Sequence, residues 1–215
     1  WQLEYWFTGR LIESVCMYLW NLQPIKAVVF DAFGTVIDYP VKLSPYALLR
    51  RHWRPEQGFK HACLTQNIAL PDLLQQLELN MLWPEMQSIL TEERKHLALY
   101  PEVAEVMQKL QQLQVKTAIC SNLAHAYGAD VHRLLPDVDA TILSYEVGHA
   151  KPEMAIYAAV EQLLNLPKEQ ILFVGDTQRC DYDGPKAYGF QAAHLQRHLG
   201  QDLHSIVFPP NARQP

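Results

Sequence analysis

The sequence is poor in cysteine, and no two of its cysteines stand close enough to form a CxxC pair. The four are Cys16, Cys63, Cys120 and Cys180. Disulfide frameworks belong mainly to small secreted domains, so we do not expect one in a chain of 215 residues. Apart from His194 and His198, the nine histidines lack HxxxH and HxH spacing, and their scatter argues against a zinc site. We therefore expect a reduced, cytoplasmic protein with structural thiols.

The chain also lacks a basic cluster and a hydrophobic run of membrane-spanning length. Its formal net charge is −5, and a solvated helix face accounts for its densest basic group, Arg50, Arg51 and Arg54. The uncharged run over residues 14–25 is too short to cross a bilayer. The sequence thus predicts neither a nucleic-acid partner nor a membrane partner. What it does contain, 49% apolar residues, is enough to bury a substantial core.

Residues 1–24 have a different character from the rest of the chain. Leu11, Val15, Tyr18 and Leu19 recur at helical spacing, which favours an amphipathic helix that packs on the domain or on a partner. An equally good interpretation is a non-native extension, because Met17 could itself be a start. We assign no function to this segment.

From residue 25 onward, short apolar runs alternate with amphipathic helical patterns. Five runs of mostly apolar residues are typical of parallel strands covered on both faces: 26–31, 115–120, 139–144, 170–176 and 190–195. The predicted helices between them begin near Pro101 and Pro152, since proline suits a first helical turn. This alternation predicts an α/β fold with a doubly wound parallel sheet and right-handed crossovers.

The first two predicted strands are separated by more than eighty residues, which indicates an insert. The segment 40–98 has helix starts in "LSPYALL", "LPDLLQQL" and "WPEMQSILTEERKHL" but no convincing strand. We therefore predict a core made of 25–39 and 99–198, a small all-helical cap at 40–98 and a C-terminal tail at 199–215. A helical insert at the mouth of a site is a candidate lid.

Polar side chains follow the predicted strands, at the edge where sites lie in such sheets. They are Asp31 before the Gly34-Thr35 turn, the pair Ser121-Asn122, Lys151 before a proline, and Asp176 with Asp181 in "GDTQRCDYDGP". Any one of them alone is commonly a cap or turn residue. Their occurrence at successive strand ends, in this order, predicts a single site.

These motifs resemble those of the haloacid dehalogenase (HAD) superfamily of aspartate-nucleophile hydrolases. The motifs are "FDAFGTVID", "ICSN", "HAKPE" and "VGDTQRCDYDGPKAYGF", and the resemblance covers about 25–198. It implies a Rossmann-like core with a helical cap inserted after the first motif. It also implies a small-molecule anionic substrate and a monomer or homodimer.

The resemblance implies a role for each residue at the site. Asp31 would be the nucleophile, and Lys151 would neutralise the charge of nucleophile and substrate. Ser121 would act both as a catalytic residue and as a substrate-binding residue. Asn122 and Thr35 would bind the substrate with it.

The resemblance further implies a Mg²⁺ cofactor. Its ligands would be Asp31, the backbone carbonyl of Phe33, Asp176 and Asp181, with Asp183 as the alternative to Asp181. Crowded carboxylates repel one another unless a cation lies between them, and hard oxygen ligands favour Mg²⁺.

Phe33 stands where phosphatases of this superfamily have the aspartate that acts as general acid and base. Its absence typically costs ~10²–10⁴-fold in rate. One hypothesis is a Mg²⁺-dependent phosphatase for a small phosphorylated metabolite, working without that acid. A second is a 2-haloacid dehalogenase, in which an aromatic residue is common here and a halide leaves without a proton. A third is a regulatory protein that binds a metal or ligand and turns over weakly.

The residue pair Gly175-Asp176 favours the first hypothesis over the second. The dehalogenases of the superfamily lack this Gly-Asp, and a dehalogenase needs no metal. Asp176 and Asp181 without a cation would also repel a carboxylate substrate. The sequence therefore favours phosphatase chemistry and leaves the dehalogenase open.

Overall fold

The protein is described by a computed structural model that covers residues 24–53 and 58–209. Its strands are β1 (Ala27–Phe30), β2 (Ile37–Asp38), β3 (Ala98–Leu99), β4 (Lys116–Ser121), β5 (Ala140–Leu143), β6 (Ile171–Gly175) and β7 (Gln191–His194). The five strands predicted from the sequence are β1, β4, β5, β6 and β7. They form one parallel sheet in the order β5-β4-β1-β6-β7. The expected α/β fold with a parallel sheet is confirmed.

The alternation of side chains along β1 shows why the sheet is covered on both faces. Val28 and Phe30 belong to one buried cluster, whereas Ala27 and Val29 belong to a second. Successive side chains of a strand point to opposite faces, so an entirely apolar strand requires helices on both sides. The site-bearing strands β4, β1 and β6 are adjacent at the centre of this sheet.

The helices of the described residues are α1 (Tyr46–His52), α2 (Phe59–Thr65), α3 (Leu70–Gln76), α4 (Trp83–Lys95), α5 (Val103–Gln112), α6 (Gly128–Leu134), α7 (Ser144–Val147), α8 (Met154–Leu164), α9 (Gly184–Tyr188) and α10 (Leu203–Val207). Helices α1 to α4 lie between β2 and β3, and we call them the helical insert. The sequence signals predicted α1, α3 and α4 but missed α2. Strands β2 and β3 pair antiparallel at the base of the insert, so the prediction of no strand within 40–98 is wrong at Ala98.

Two predicted helix starts lie further along the chain than expected. Pro101 and Pro152 both precede their helices, which begin at Val103 and Met154. At Pro152 the backbone first makes a turn, in which the Glu153 N–H donates to the carbonyl of Ala150 at 2.8 Å. Proline is equally compatible with a turn, so the residue type alone did not fix the start.

The prediction for the N-terminal segment falls outside the described residues, whereas most of the predicted C-terminal tail is described. The predicted N-terminal helix and Cys16 fall in residues 1–23, outside the described residues. The predicted C-terminal tail contains α10, whose start is closed by a capping box between Asp202 and Ser205. Within the described part of the chain, no helix is both long enough and apolar enough to span a membrane.

The buried cysteines behave as expected for structural thiols. Cys63 and Cys120 are free and buried. Burial raises the pKa of Cys63 to about 11 and that of Cys120 to about 12. Since the thiolate is the reactive form, these thiols are inert at neutral pH.

Candidate active site

The nucleophile candidate lies at the carboxyl edge of the sheet, immediately after β1. The Asp31 N–H donates to the carbonyl of Val174 at 2.9 Å, which continues the pairing of β1 with β6. Asp31 is buried, with 8% of the residue exposed. Because β4, β1 and β6 are parallel neighbours, their ends bring Ser121, Asp31 and Asp176 to one edge, as the sequence predicted.

Lys151 is the centre of a buried charge cluster. Its Nζ lies 2.8 Å from Asp31 Oδ1, 2.7 Å from Asp181 Oδ1 and 2.7 Å from the carbonyl of Cys120, to all of which it donates. Ser121 Oγ also donates to Asp31 Oδ1, at 3.1 Å. Among the described residues, Asp31 Oδ1 is therefore the oxygen that receives the hydrogen bonds, and Oδ2 remains available to a ligand.

Burial and charge act in opposite directions on this cluster. Burial raises the pKa of Asp31, and the attraction of Lys151 offsets this only in part. Burial acts to lower the pKa of Lys151, but the charges of Asp31 and Asp181 reverse this and hold it well above its usual value. The lysine is therefore a fixed cation beside Asp31.

Asp176 and Asp181 complete a group of three carboxylates with Asp31. Each of the three offers one oxygen, and these oxygens lie within 4.8 Å of one another. Loss of hydration and the neighbouring Asp31 charge raise the pKa of Asp176. A cation between Asp31 and Asp176 would remove this repulsion, so the donor set fits a hard divalent ion.

Two glycines allow the carboxylates to come this close. A Cβ at Gly34, whose φ is +81°, would lie 2.4 Å from Asp176 Oδ2. A Cβ at Gly175 would lie 2.5 Å from the Asp181 side chain. Only a residue without a side chain fits either position, and Gly34 also needs the left-handed backbone.

The two acidic candidates for the metal shell occupy different environments. Asp181 is 1% exposed, and its Oδ2 accepts a hydrogen bond from the Thr177 N–H at 2.9 Å. Asp183 is exposed and accepts from Gln178 Nε2 at 2.8 Å, away from the group of three. Since both oxygens of Asp181 already accept hydrogen bonds, its arrangement favours orienting Lys151 and supporting the shell indirectly.

Two residues that were predicted to bind substrate, Asn122 and Thr35, do not present free polar groups to the site in this structure. The Asn122 carboxamide forms a pair of hydrogen bonds with the backbone of Lys151, donating at 2.8 Å and accepting at 2.7 Å. Thr35 is fully buried, and its Oγ1 has no hydrogen-bond partner in the described chain. In this conformation Asn122 holds Lys151 in place, and the Thr35 hydroxyl does not face solvent.

The ring of Phe33, two residues after Asp31, lies in an aromatic group. It packs edge to face against Tyr39 and Tyr127, with ring centroids 5.5 and 5.8 Å away. Both tyrosine hydroxyls donate to Glu93 of α4, a fully buried carboxylate. Burial and the Glu93 charge raise the pKa of both tyrosines, which keeps them protonated as donors.

Sequence reasoning missed Glu93, although a signal for it exists. Met86, Leu90 and Glu93 are the buried residues of α4, spaced by four and three, and form one stripe. An acidic residue on an apolar stripe indicates a buried polar contact, because a buried charge needs hydrogen-bond partners. Those partners come from distant parts of the chain, so the sequence could not name them.

Comparison with known proteins points to one family. The sequence model described as haloacid dehalogenase-like hydrolase matches residues 25–189. Haloacetate dehalogenase H-2 of Moraxella sp. (strain B) is 28% identical over 200 residues, covering 82% of this chain and 88% of that protein. (S)-2-haloacid dehalogenase 2 of Pseudomonas sp. (strain CBS-3) is 25% identical over 200 residues, covering 82% and 86%.

A solved structure shares the fold. It is a HAD family enzyme of Bacteroides thetaiotaomicron, determined in complex with magnesium and inorganic phosphate. The superposition gives a TM-score of 0.64 at 17% identity and covers 83% of this chain and 97% of that one.

Proposed function

The chain belongs to the haloacid dehalogenase-like hydrolases, and from that premise we propose that it is a Mg²⁺-dependent phosphatase of small phosphorylated metabolites. The observation that carries the proposal is the position of Asp176. Its carboxylate lies within ligand range of Asp31 in the group of three carboxylates. A site for metal-free displacement has no need of this second acid.

Asp31 is the nucleophile of the proposed reaction. Its Oδ2 forms a bond to phosphorus while the bond from phosphorus to the leaving oxygen breaks, which gives a covalent acyl phosphate. Water then cleaves that intermediate and releases phosphate, so that one difficult displacement becomes two easier ones. Lys151 balances the charge of Asp31 throughout, and Ser121 donates a hydrogen bond at the same edge.

The Mg²⁺ would be held by Asp31, Asp176 and the backbone carbonyl of Phe33. Asp181 would support this site indirectly, because it accepts a hydrogen bond from Lys151 and orients that residue. When bound, the ion supplies charge neutralisation to the transferring phosphoryl group. The protein residues contribute position: Asn122 fixes the backbone of Lys151, and Gly34 lets the turn after the nucleophile lie against Asp176.

Phe33 limits the substrate range of this proposed phosphatase. A carbon ring donates no proton to a departing alkoxide, so aryl and acyl phosphates, whose leaving groups are stable anions, are the favoured substrates. We further propose that the helical insert is a cap over residues 25–39 and 99–198 and selects the substrate.

A 2-haloacid dehalogenase is the second candidate. It is favoured by the aromatic ring of Phe33 and by the names of the curated relatives, which are haloacid dehalogenases. In that reaction Asp31 would displace halide from carbon and form an ester, and water would cleave the ester. A regulatory protein with weak turnover is the third candidate, since Phe33 replaces the usual acid.

An assay with two substrates separates the candidates. Purified protein is given an aryl phosphate or 2-chloropropionate, each with Mg²⁺ or with EDTA. The proposal expects phosphate release that EDTA and Asp31→Asn both abolish. Chloride release that EDTA does not affect would establish the dehalogenase instead. Mg²⁺ binding without turnover of either substrate would favour the regulatory protein.

A further inference from the structure

Arg197 contacts the turn that follows the nucleophile. It lies in the 3₁₀ turn Arg197–Leu199 after β7, beyond the residues 25–189 that match the family. Its Nε donates to the carbonyl of Gly34 at 3.1 Å, and its Nη2 donates to the carbonyl of Thr35 at 2.5 Å. One guanidinium therefore binds two successive carbonyls of the turn.

The guanidinium is itself held from two further sides. Nη2 lies 2.8 Å from Glu102 Oε1 in an ion pair whose side chains are 20% and 14% exposed. The Tyr100 ring centroid is 3.6 Å from Cζ, so the planar group stacks on the ring. Glu102 and Tyr100 lie between β3 and α5, where the chain returns from the helical insert. Arg197 thus joins three segments that are far apart in the sequence.

Among the described residues, the side-chain hydrogen bonds to this turn come from Arg197. The Thr35 hydroxyl is buried and has no partner among the described residues. Thr35 is buried and Gly34 is half-buried, and an arginine fork is well suited to satisfy two carbonyls and a carboxylate at once. Because Gly34 packs directly on Asp176, the position of this turn sets the spacing between Asp31 and Asp176.

We propose that Arg197 is a positioning residue of the active site, whose guanidinium fixes the Gly34-Thr35 turn and with it the distance from nucleophile to Asp176. The catalytic consequence rests on the proposed function, but the structural role does not. Lysine cannot replace it, because a single ammonium does not reach two carbonyls, a carboxylate and a ring face together.

Hydrogen–deuterium exchange tests the structural role without any assay of activity. In Arg197→Ala, exchange of the amides of residues 34–37 should rise about tenfold or more, since a charge-assisted hydrogen bond is lost on each carbonyl. Millimolar guanidinium, far below denaturing concentrations, should restore protection by occupying the gap. Arg133→Ala is the matched control, because Arg133 is an exposed arginine with one ion pair to Asp130.

Kinetics and Mg²⁺ titration test the catalytic consequence. Arg197→Ala should lower kcat about 10–100-fold with a smaller change in KM, because a small displacement of reacting groups slows the chemical step. It should also weaken Mg²⁺ binding, measured by calorimetry. Added guanidinium should restore kcat and Mg²⁺ affinity in Arg197→Ala. In the control Arg133→Ala, kcat and Mg²⁺ affinity should both stay at their wild-type values.

Three results would overturn the inference. They are native exchange at residues 34–37 in folded Arg197→Ala, full function in Arg197→Lys, or loss of function that guanidinium does not relieve at all. If the alanine variant does not fold, exchange in Arg197→Lys decides, since lysine keeps the charge and most of the bulk. An inactive wild-type protein would refute the proposed function. The exchange result would still test whether Arg197 fixes the Gly34-Thr35 turn.

Discussion

At the scale of single residues, Lys151 has the most demanding position. Its ammonium is buried between Asp31 and Asp181 and compensates both charges. Removing one partner of a buried ion pair leaves uncompensated charge, which is far more costly than the net contribution of the intact pair. The residue is therefore as important for stability as for the proposed chemistry.

Lys151→Met should lower the free energy of unfolding by about 3–5 kcal/mol near neutral pH. The loss should shrink as pH falls. Without the lysine, the pKa of the buried Asp31 carboxyl group lies further above its unfolded value, so the folded state takes up that proton first and gains stability as pH falls. Urea unfolding in EDTA at about pH 8 and about pH 5 measures this. An equal loss at both values would contradict the assigned charge compensation.

Phe33 is the second residue whose identity decides function. Phe33→Asp should raise activity on alkyl phosphates about tenfold or more, because it supplies the missing general acid. The change should also lower stability, since the ring packs against Tyr39 and Tyr127. Steady-state kinetics with an alkyl and an aryl phosphate provide the measurement.

Phe33→Asn is the matched control for that change, as it has the size of aspartate without the acid. A gain in both variants would show that space, and not a proton, was lacking. No gain in either would indicate that the phenylalanine ring serves the native substrate.

At the scale of elements, α4 provides one of the contacts between the helical insert and the core. Besides the two tyrosine hydroxyls, Glu93 accepts hydrogen bonds from the backbone N–H groups of Leu43 and Ser44, at 2.8 and 3.1 Å. The next residue, Arg94, binds the buried Asp130 of α6. Two successive residues of α4 thus bind the segment 39–44, between β2 and α1, and the core.

Glu93→Gln should lower the free energy of unfolding by about 1–3 kcal/mol, because a neutral amide is a weaker acceptor and adds donors that lack partners. Exchange of the Leu43 and Ser44 amides should rise in the same variant. Glu92→Gln is the control: Glu92 is exposed and pairs with Lys95 at 2.8 Å, so its loss should leave the free energy of unfolding almost unchanged.

Equal effects of the Glu93 and Glu92 variants would mean that the buried carboxylate does not hold the insert. A stability loss without faster exchange at Leu43 and Ser44 would place the effect elsewhere in α4.

At the scale of the whole molecule, a bound ion should stabilise the fold. If Asp31 and Asp176 hold Mg²⁺, saturating Mg²⁺ at a hundred times its Kd stabilises the protein by about 2–3 kcal/mol. The thermal midpoint should therefore rise with Mg²⁺ and return to the starting value with EDTA.

Asp176→Asn should abolish that rise, whereas Asp183→Asn should retain it, because Asp183 lies outside the group of three carboxylates. Differential scanning calorimetry of the three proteins measures the midpoints. If the thermal midpoint of Asp176→Asn still rose with Mg²⁺, the ion would have to bind at another site.

Local sequence pattern was enough to predict the sheet and the edge at which the candidate site lies. Five apolar runs of strand length became β1, β4, β5, β6 and β7, because strands buried on both faces must be apolar throughout. Parallel strands place their carboxyl ends at one edge, so Asp31, Ser121 and Asp176 had to meet. These inferences use only local pattern and topology.

The tertiary structure alone decided how polar side chains pair. The Asn122 carboxamide could bind substrate or backbone, and only the fold shows it on Lys151. Glu93 and Arg197 find partners more than thirty residues away, and no local periodicity encodes such pairs. Long-range hydrogen bonds depend on the position of whole elements, which the packing of the core sets. For that reason the position of Asp31 at the edge of the sheet could be predicted from the sequence, whereas its supporting contacts could not.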